Sequence, residues 1–394
     1  MGLQLNHIYQ GDCLAVLRQL PAESVHCCVT SPPYWGLRDY GTDGQLGLEK
    51  TPEHYIEKMV AVFQEVRRVL RDDGTLWLNM GDSYVSGKGR YSSIQQTISG
   101  KPRNEPTSGN RPDQRDHPYL KDKDLCGIPW RLALALQADG WYLRCDIIWA
   151  KPNPMPESVT DRPTKAHEYL FLLTKKARYY YDADAVREGY PQSTIERMKY
   201  SHSKINTDNN GSVFTTKGNP ERTKIEPNPS GCNRRSVWTI PTASFPQAHF
   251  ATFPPKLVEP CIKAGTSEWG CCPECGAGWV RVVETSKDYN SIRTDTGKPR
   301  KKKLINLGGK AIQNTGGGYY HKENYVTQSK TLYWEPSCKC ECEERVPAVV
   351  LDLFMGAGTV ALVAKNLGRK YVGIELNSEY IRIANNRLRQ EILL

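Results

Sequence analysis

Residues 349–375 constrain the fold of this 394-residue chain more than any other stretch. Val349-Val350-Leu351 is a short apolar run, β-branched at two positions, suited to a buried strand. Asp352-Leu353-Phe354-Met355-Gly356-Ala357-Gly358-Thr359 follows, with two glycines free to take backbone angles closed to other residues. Val360 to Leu367 has helical spacing and is stopped by Gly368, and Tyr371 to Ile374 supplies a second strand that ends at Glu375. Strand, crossover helix and strand make a βαβ unit, in which the loops at the strands' carboxyl ends line a ligand crevice. Glu375 stands 23 positions after Asp352, close to the separation of about 20 expected of an acid that binds a ribose. The unit predicts a parallel α/β sheet and an adenosine-type cofactor. NAD is the competing reading, but its pyrophosphate calls for a third glycine, and position 361 is Ala.

A second strand end carries different chemistry. The apolar run Val25 to Val29 reads as a buried strand, and Thr30-Ser31-Pro32-Pro33-Tyr34-Trp35 hangs from its carboxyl end. Two successive prolines remove two backbone donors and fix φ, so their carbonyl oxygens are held rigidly toward the crevice. With the aromatic face of Tyr34 beside them, they suit a planar ring that bears an amino group.

The Ser-Pro-Pro-Tyr turn resembles the catalytic motif of DNA methyltransferases that modify exocyclic amino groups, N4 of cytosine or N6 of adenine. The Asp-Leu-Phe-Met-Gly-Ala-Gly-Thr string resembles that family's S-adenosylmethionine motif. The resemblance covers roughly residues 5 to 185 and 245 to 394. It implies that Ser31 and the Pro32 carbonyl accept hydrogen bonds from the amino group, with Pro33 completing the turn and Tyr34 stacking on a base flipped out of the duplex. It assigns the cofactor to Asp352, Phe354, Gly356, Gly358, Thr359 and Glu375, to Asp12 of a Gly-Asp strand end, and to Thr252 and Phe253 of a segment that packs on the methionine end. For Asp12, an N-cap of the next helix is the plainer reading. The catalytic turn precedes the cofactor glycines by more than 300 residues, which matches the circularly permuted β class. The implied fold is a Rossmann-like methyltransferase sheet in which the first and last strands of the chain lie side by side.

Expected boundaries follow. Residues 1–185 form the catalytic half; 186–245, poor in apolar residues, form a target-recognition or flexible region; 246–270 and 346–394 form the cofactor half. Residues 86–123 read as a loop placed to close over DNA, or as a surface insertion. Residues 143–150 and 168–174 read as strands, which the resemblance implies close the sheet as its last, hairpin-like element, and Trp149-Ala150-Lys151-Pro152 and His167-Glu168-Tyr169 resemble family motifs beside the base pocket. Pro260-Cys261 matches the nucleophile pair of carbon-5 cytosine methyltransferases, but falls inside a helix, so Cys261 is expected to be buried and unreactive.

Residues 271–345 read as a small Cys-rich, zinc-ribbon-like insertion. Six of the thirteen cysteines fall between Cys271 and Cys342, a clustering that suits metal ligation in a reducing compartment. Cys272-Pro273-Glu274-Cys275-Gly276 is a zinc-knuckle turn, and Cys338 with Cys340 completes a structural four-thiolate zinc site, with Cys271 or Cys342 as substitutes. The basic tract 298–303 suits phosphate contacts or a solvated face.

A formal net charge of +10 fits a polyanionic partner. No run of 18 apolar residues and no secretory pattern is present, so no membrane partner is expected. The family implies double-stranded DNA as substrate, a cytoplasmic setting in a prokaryote or phage, and possible pairing with a cognate restriction endonuclease; monomer and homodimer both stay open. Ser31 favours N4 of cytosine. N6 of adenine, methylation of RNA or a protein amide, and a catalytically inactive DNA-binding protein are the alternatives.

Overall fold

The strand after Asp352 and the strand before Ser31 need partners on both sides, and the sheet supplies them. The computed structural model describes residues 2–37, 42–85, 117–199, 205–207, 213–215, 231–243, 253–289 and 325–390. In chain order the elements begin with β1 (His7–Gln10), α1 (Cys13–Leu17), β2 (Val25–Thr30), α2 (Pro52–Val69), β3 (Leu70–Met80) and α3 (Ile128–Ala138). They continue with β4 (Tyr142–Ala150), β5 (His167–Thr174), α4 (Gln192–Lys199), β6 (Ile205–Thr207), β7 (Val213–Thr215), β8 (Val237–Thr239) and α5 (Pro255–Gly265). The last are β9 (Trp279–Tyr289), β10 (Tyr325–Pro336), β11 (Val349–Asp352), α6 (Thr359–Asn366), β12 (Lys370–Glu375) and α7 (Ser378–Arg389).

One compact unit comprises residues 1–186, 234–281 and 334–394. It holds an eight-stranded sheet in the order β1-β12-β11-β2-β3-β5-β4-β8. The strands from β1 to β3 run parallel, and β5 is antiparallel to both β3 and β4. β1 lies against β12, so the two ends of the chain meet in one sheet as the permuted arrangement requires. The hairpin of β4 and β5 is not the last element: β8 pairs parallel with β4, from Ile148 opposite Val237 to Ala150 opposite Thr239.

Helices cover both faces. On one, Val16 and Leu17 of α1, Tyr55, Met59, Phe63, Val66 and Val69 of α2, and Leu132 and Leu136 of α3 pack on the sheet; on the other, α5, α6 and α7 do so. Helix α2 shows why the sequence is legible here. Its apolar residues recur at spacings of three and four, Thr51 Oγ1 accepts from His54 N at 3.3 Å as the N-cap, and Pro52 opens the first turn. β3 starts at Leu70, directly after α2 and five residues earlier than the apolar run at Thr75 suggests, because Leu70 pairs with Val25 of β2 across a bulge.

The other unit comprises residues 187–233 and 282–333 and contains α4 and the antiparallel pair β6 and β7. Residues 86–116, the basic tract 298–303 and much of the expected target-recognition region lie outside the described residues. Among the described residues, no helix is long and apolar enough to cross a membrane.

Candidate active site

From β2 the chain crosses to β3 on one side, and from β11 to β12 on the other, so the connections diverge between β2 and β11. Such a switch point opens a crevice at the strands' carboxyl ends. The pairing of Val350 with Cys27 and Leu351 with Cys28 brings Asp352 and Thr30 to that crevice together. A cavity of about 720 Å³ opens there.

The cavity has two differently built ends. At the first, Glu375 accepts from Gly356 N at 2.7 Å through Oε2 and from Asn377 N at 2.9 Å through Oε1. These bonds aim the carboxylate and hold the glycine turn open beside it. Burial pushes the Glu375 carboxyl up, and the amides of Asn377 and Gly356 oppose that shift. Asp352 is almost wholly buried, and its Oδ1 accepts from Thr30 Oγ1 at 2.8 Å and from Phe354 N at 3.1 Å. Desolvation outweighs both bonds and pushes its pKa up to about 7. Gly358 is the N-cap of α6 with φ +76°, and a Cβ there would stand 2.9 Å from Ala384 Cβ. Arg387 donates to Ala357 O at 3.1 Å and to Thr359 Oγ1 at 3.0 Å, fixing the start of the same helix.

At the second end, Ser31 Oγ lies 3.3 Å from Tyr34 Oη, and Tyr34 Oη donates to Glu168 Oε2 at 2.8 Å. Asn79 Oδ1 is 3.3 Å from the same phenol, and its Nδ2 donates to Tyr169 O at 3.1 Å. Lys151 Nζ donates to Glu168 Oε1 at 2.5 Å and sits 4.4 Å from the Trp149 ring centroid. A hydrogen-bonded line therefore runs Ser31, Tyr34, Glu168, Lys151. The Tyr55 hydroxyl donates to the Pro33 carbonyl at 2.8 Å, which fixes the turn while engaging Pro33 and not Pro32. Trp35 is buried, its Nε1 donating to Glu49 O at 2.8 Å, and so anchors the turn from behind.

Ser31, Pro32, Pro33, Tyr34, Asp12, Phe253, Asp352, Phe354, Gly356, Thr359 and Glu375 all line this one cavity. Gly358 does not line it and acts as a helix cap. Asp12 is both a wall residue and the N-cap of α1, accepting from Ala15 N at 2.8 Å. Thr252 lies outside the described residues. Cys261 is buried within α5, and desolvation raises its thiol well above the ordinary value, so it is no nucleophile. Asn377 and Tyr380 line the cavity without a sequence motif to mark them; the only hint is their place just after the strand end at Glu375. Away from the cavity, the sulfur atoms of Cys272, Cys275, Cys338 and Cys340 come together, all within 4.8 Å of one another. Cys271 and Cys342 are not in that cluster: Cys271 is buried and bonded through its backbone to Val346, and Cys342 Sγ lies near Glu344 O.

A family model described as DNA methylase matches residues 25–302 and 342–386. The chain belongs to the DNA methylase family. This methylase is 40% identical over 391 residues to the type II methyltransferase M.Cfr9I of Citrobacter freundii, spanning 99% of this chain and 90% of that protein. It is 36% identical over 381 residues to the type II methyltransferase M.SmaI of Serratia marcescens, spanning 97% and 90%. Among solved structures, the PvuII DNA methyltransferase (cytosine-N4-specific) aligns with a TM-score of 0.51 at 15% identity over 100% of this chain and 89% of its own, a likeness of fold. The methylase is thus a type II DNA methyltransferase of the N4/N6 group, and its sheet shares the fold of a DNA methyltransferase.

Proposed function

We propose that the protein methylates N4 of cytosine in double-stranded DNA, with Ser31, Pro32, Pro33 and Tyr34 at the base end of the cavity and Glu375, Asp352 and Phe354 at the cofactor end. The observation that carries the reading is the shared cavity: an amino-group turn and an adenosine-type turn face one space at adjacent strand ends. The donor set fits S-adenosylmethionine. Glu375 has oxygen lone pairs left for a ribose diol, and Phe354 offers an apolar wall beside the glycine turn. When bound, that cofactor supplies an electrophilic methyl group.

The chain's own residues do the rest. An exocyclic amino group is a poor nucleophile while its lone pair is delocalised into the ring. Accepting one N–H at Ser31 Oγ and the other at the Pro32 carbonyl favours a tetrahedral nitrogen with its lone pair directed across the cavity. Tyr34, its phenol tethered by Glu168 and Asn79, offers its ring as the stacking platform. The amino nitrogen must then lose a proton. Ser31, Tyr34 and Glu168 form a hydrogen-bonded line along which that proton reaches a carboxylate whose other oxygen is held by Lys151.

Ser31→Ala tests the arrangement. Transfer of a labelled methyl group to DNA should fall by at least about a hundredfold, on the scale of a lost charge-stabilising contact, while calorimetric binding of S-adenosylmethionine persists. Retained transfer removes Ser31 from the chemistry.

A further inference from the structure

The cysteine cluster stands apart from the reaction, but it is bonded to the strands that carry it. Four zinc–sulfur bonds of about 2.3 Å in a tetrahedron set sulfur atoms roughly 3.8 Å apart. The four here, all within 4.8 Å of one another, are already gathered to that scale. The first pair has the build of a metal knuckle. Backbone N–H groups of Cys275 and Glu274 point at Cys272 Sγ, and Gly276 N closes the turn on Cys272 O at 2.8 Å. Gly276 has φ +71°, and any side chain there would strike the Arg71 guanidinium.

Two side chains join this turn to the sheet. His26 of β2 accepts the Val349 N–H of β11 at Nδ1, 3.0 Å away. Its proton must therefore sit on Nε2, which donates to the Gly276 carbonyl at 3.0 Å. Arg71 of β3 donates to the Cys275 carbonyl at 2.5 Å while its Nε pairs with Asp73 at 2.9 Å. Cys271, next to the first ligand, exchanges two backbone hydrogen bonds with Val346, three residues before β11. The knuckle thus grips β2, β3 and the approach to β11 at the ends opposite Ser31 and Asp352.

We propose that Cys272, Cys275, Cys338 and Cys340 hold one structural Zn²⁺, and that the loaded knuckle clamps the amino-terminal ends of β2 and β11 through His26. Four thiolates around Zn²⁺ leave a site of net charge −2 that the Arg71 guanidinium adjoins. The clamp fixes the relative stagger of two strands whose other ends present the two halves of the cavity. The proposal does not depend on which base is methylated.

The test uses the full-length protein purified without added metal. Elemental analysis should find one zinc and no iron per chain, and exchange with Co²⁺ should give the intense thiolate-to-cobalt bands of a tetrahedral site. Cys338→Ser should lose those bands. A His26→Ala change leaves every ligand in place, yet should weaken zinc in chelator competition by about tenfold, as loss of a supporting contact does, and should reduce the rise in melting temperature that zinc gives. Substoichiometric zinc without cobalt bands in the unaltered protein overturns the site. Unchanged zinc affinity in His26→Ala, with the bands intact, keeps the site and overturns the clamp.

Discussion

The Thr30 hydroxyl donates to Asp352 Oδ1 across 2.8 Å, joining two buried residues that stand 322 positions apart in the chain. Thr30 directly precedes the Ser-Pro-Pro-Tyr turn, and Asp352 directly precedes the glycine turn. One hydrogen bond therefore ties the base end of the cavity to the cofactor end. Thr30→Val keeps the shape of the side chain and removes the donor, leaving a buried carboxyl short of a partner. Stability in urea should drop by about 1–3 kcal/mol, with a lower S-adenosylmethionine affinity. An unchanged denaturation midpoint contradicts the structural weight placed on this bond.

Asp352 also gives a pH dependence of defined sign. Its carboxyl is held at about 7 against an ordinary 3.8, chiefly by desolvation. The folded protein keeps a proton that the unfolded chain releases. This contribution is fully present below about pH 4 and is lost as pH rises through about 7. Asp352→Asn retains an oxygen to accept from Thr30 and Phe354 and removes the ionisation. Measured by denaturation without cofactor, the variant should gain roughly 3 kcal/mol on the parent between pH 5 and pH 8, from about 1.4 kcal/mol per pH unit. A constant difference across that range contradicts the raised pKa.

Glu168 joins Tyr34 to Lys151 and ends the hydrogen-bonded line from Ser31. Glu168→Gln preserves size but removes the negative charge that accepts the proton. Single-turnover methyl transfer should slow by about a hundredfold, with little change in DNA binding. A rate within about twofold of the parent assigns the proton to another acceptor.

Gly81 tests the stacking platform without touching a polar group. A Cβ at this position would lie 2.5 Å from Tyr34 Cε2, so Gly81→Ala must displace the ring. Methyl transfer should fall sharply while cofactor affinity stays within about twofold, since the ring sits at the base end. Equal loss of both would place Tyr34 against the cofactor instead.

Much of this was legible in the sequence because it is local. The βαβ unit at 349–375 and the proline turn at 31–34 announce themselves by apolar periodicity and backbone chemistry, and the structure puts them at adjacent strand ends. What was not legible is lateral. β8 is only three residues long with one of them buried, too little pattern to mark a strand, and its pairing with β4 shows only in three dimensions. Glu168 and Lys151 were readable as parts of motifs, but their meeting at Tyr34 depends on the register of β4 against β5, in which Trp149 faces Glu168. His26 carried no signal at all, because a histidine in an apolar strand looks like packing until its two nitrogens are seen to bond Val349 and Gly276.

The proposed reaction is methyl transfer to N4 of cytosine. The direct measurement is nucleoside mass spectrometry of DNA incubated with the purified protein and S-adenosylmethionine. 4-Methylcytosine is the expected product, and Ser31→Ala should not form it. 6-Methyladenine in its place would contradict the assignment of the base while leaving the turn and its mechanism standing, and no modified base on varied DNA would contradict both.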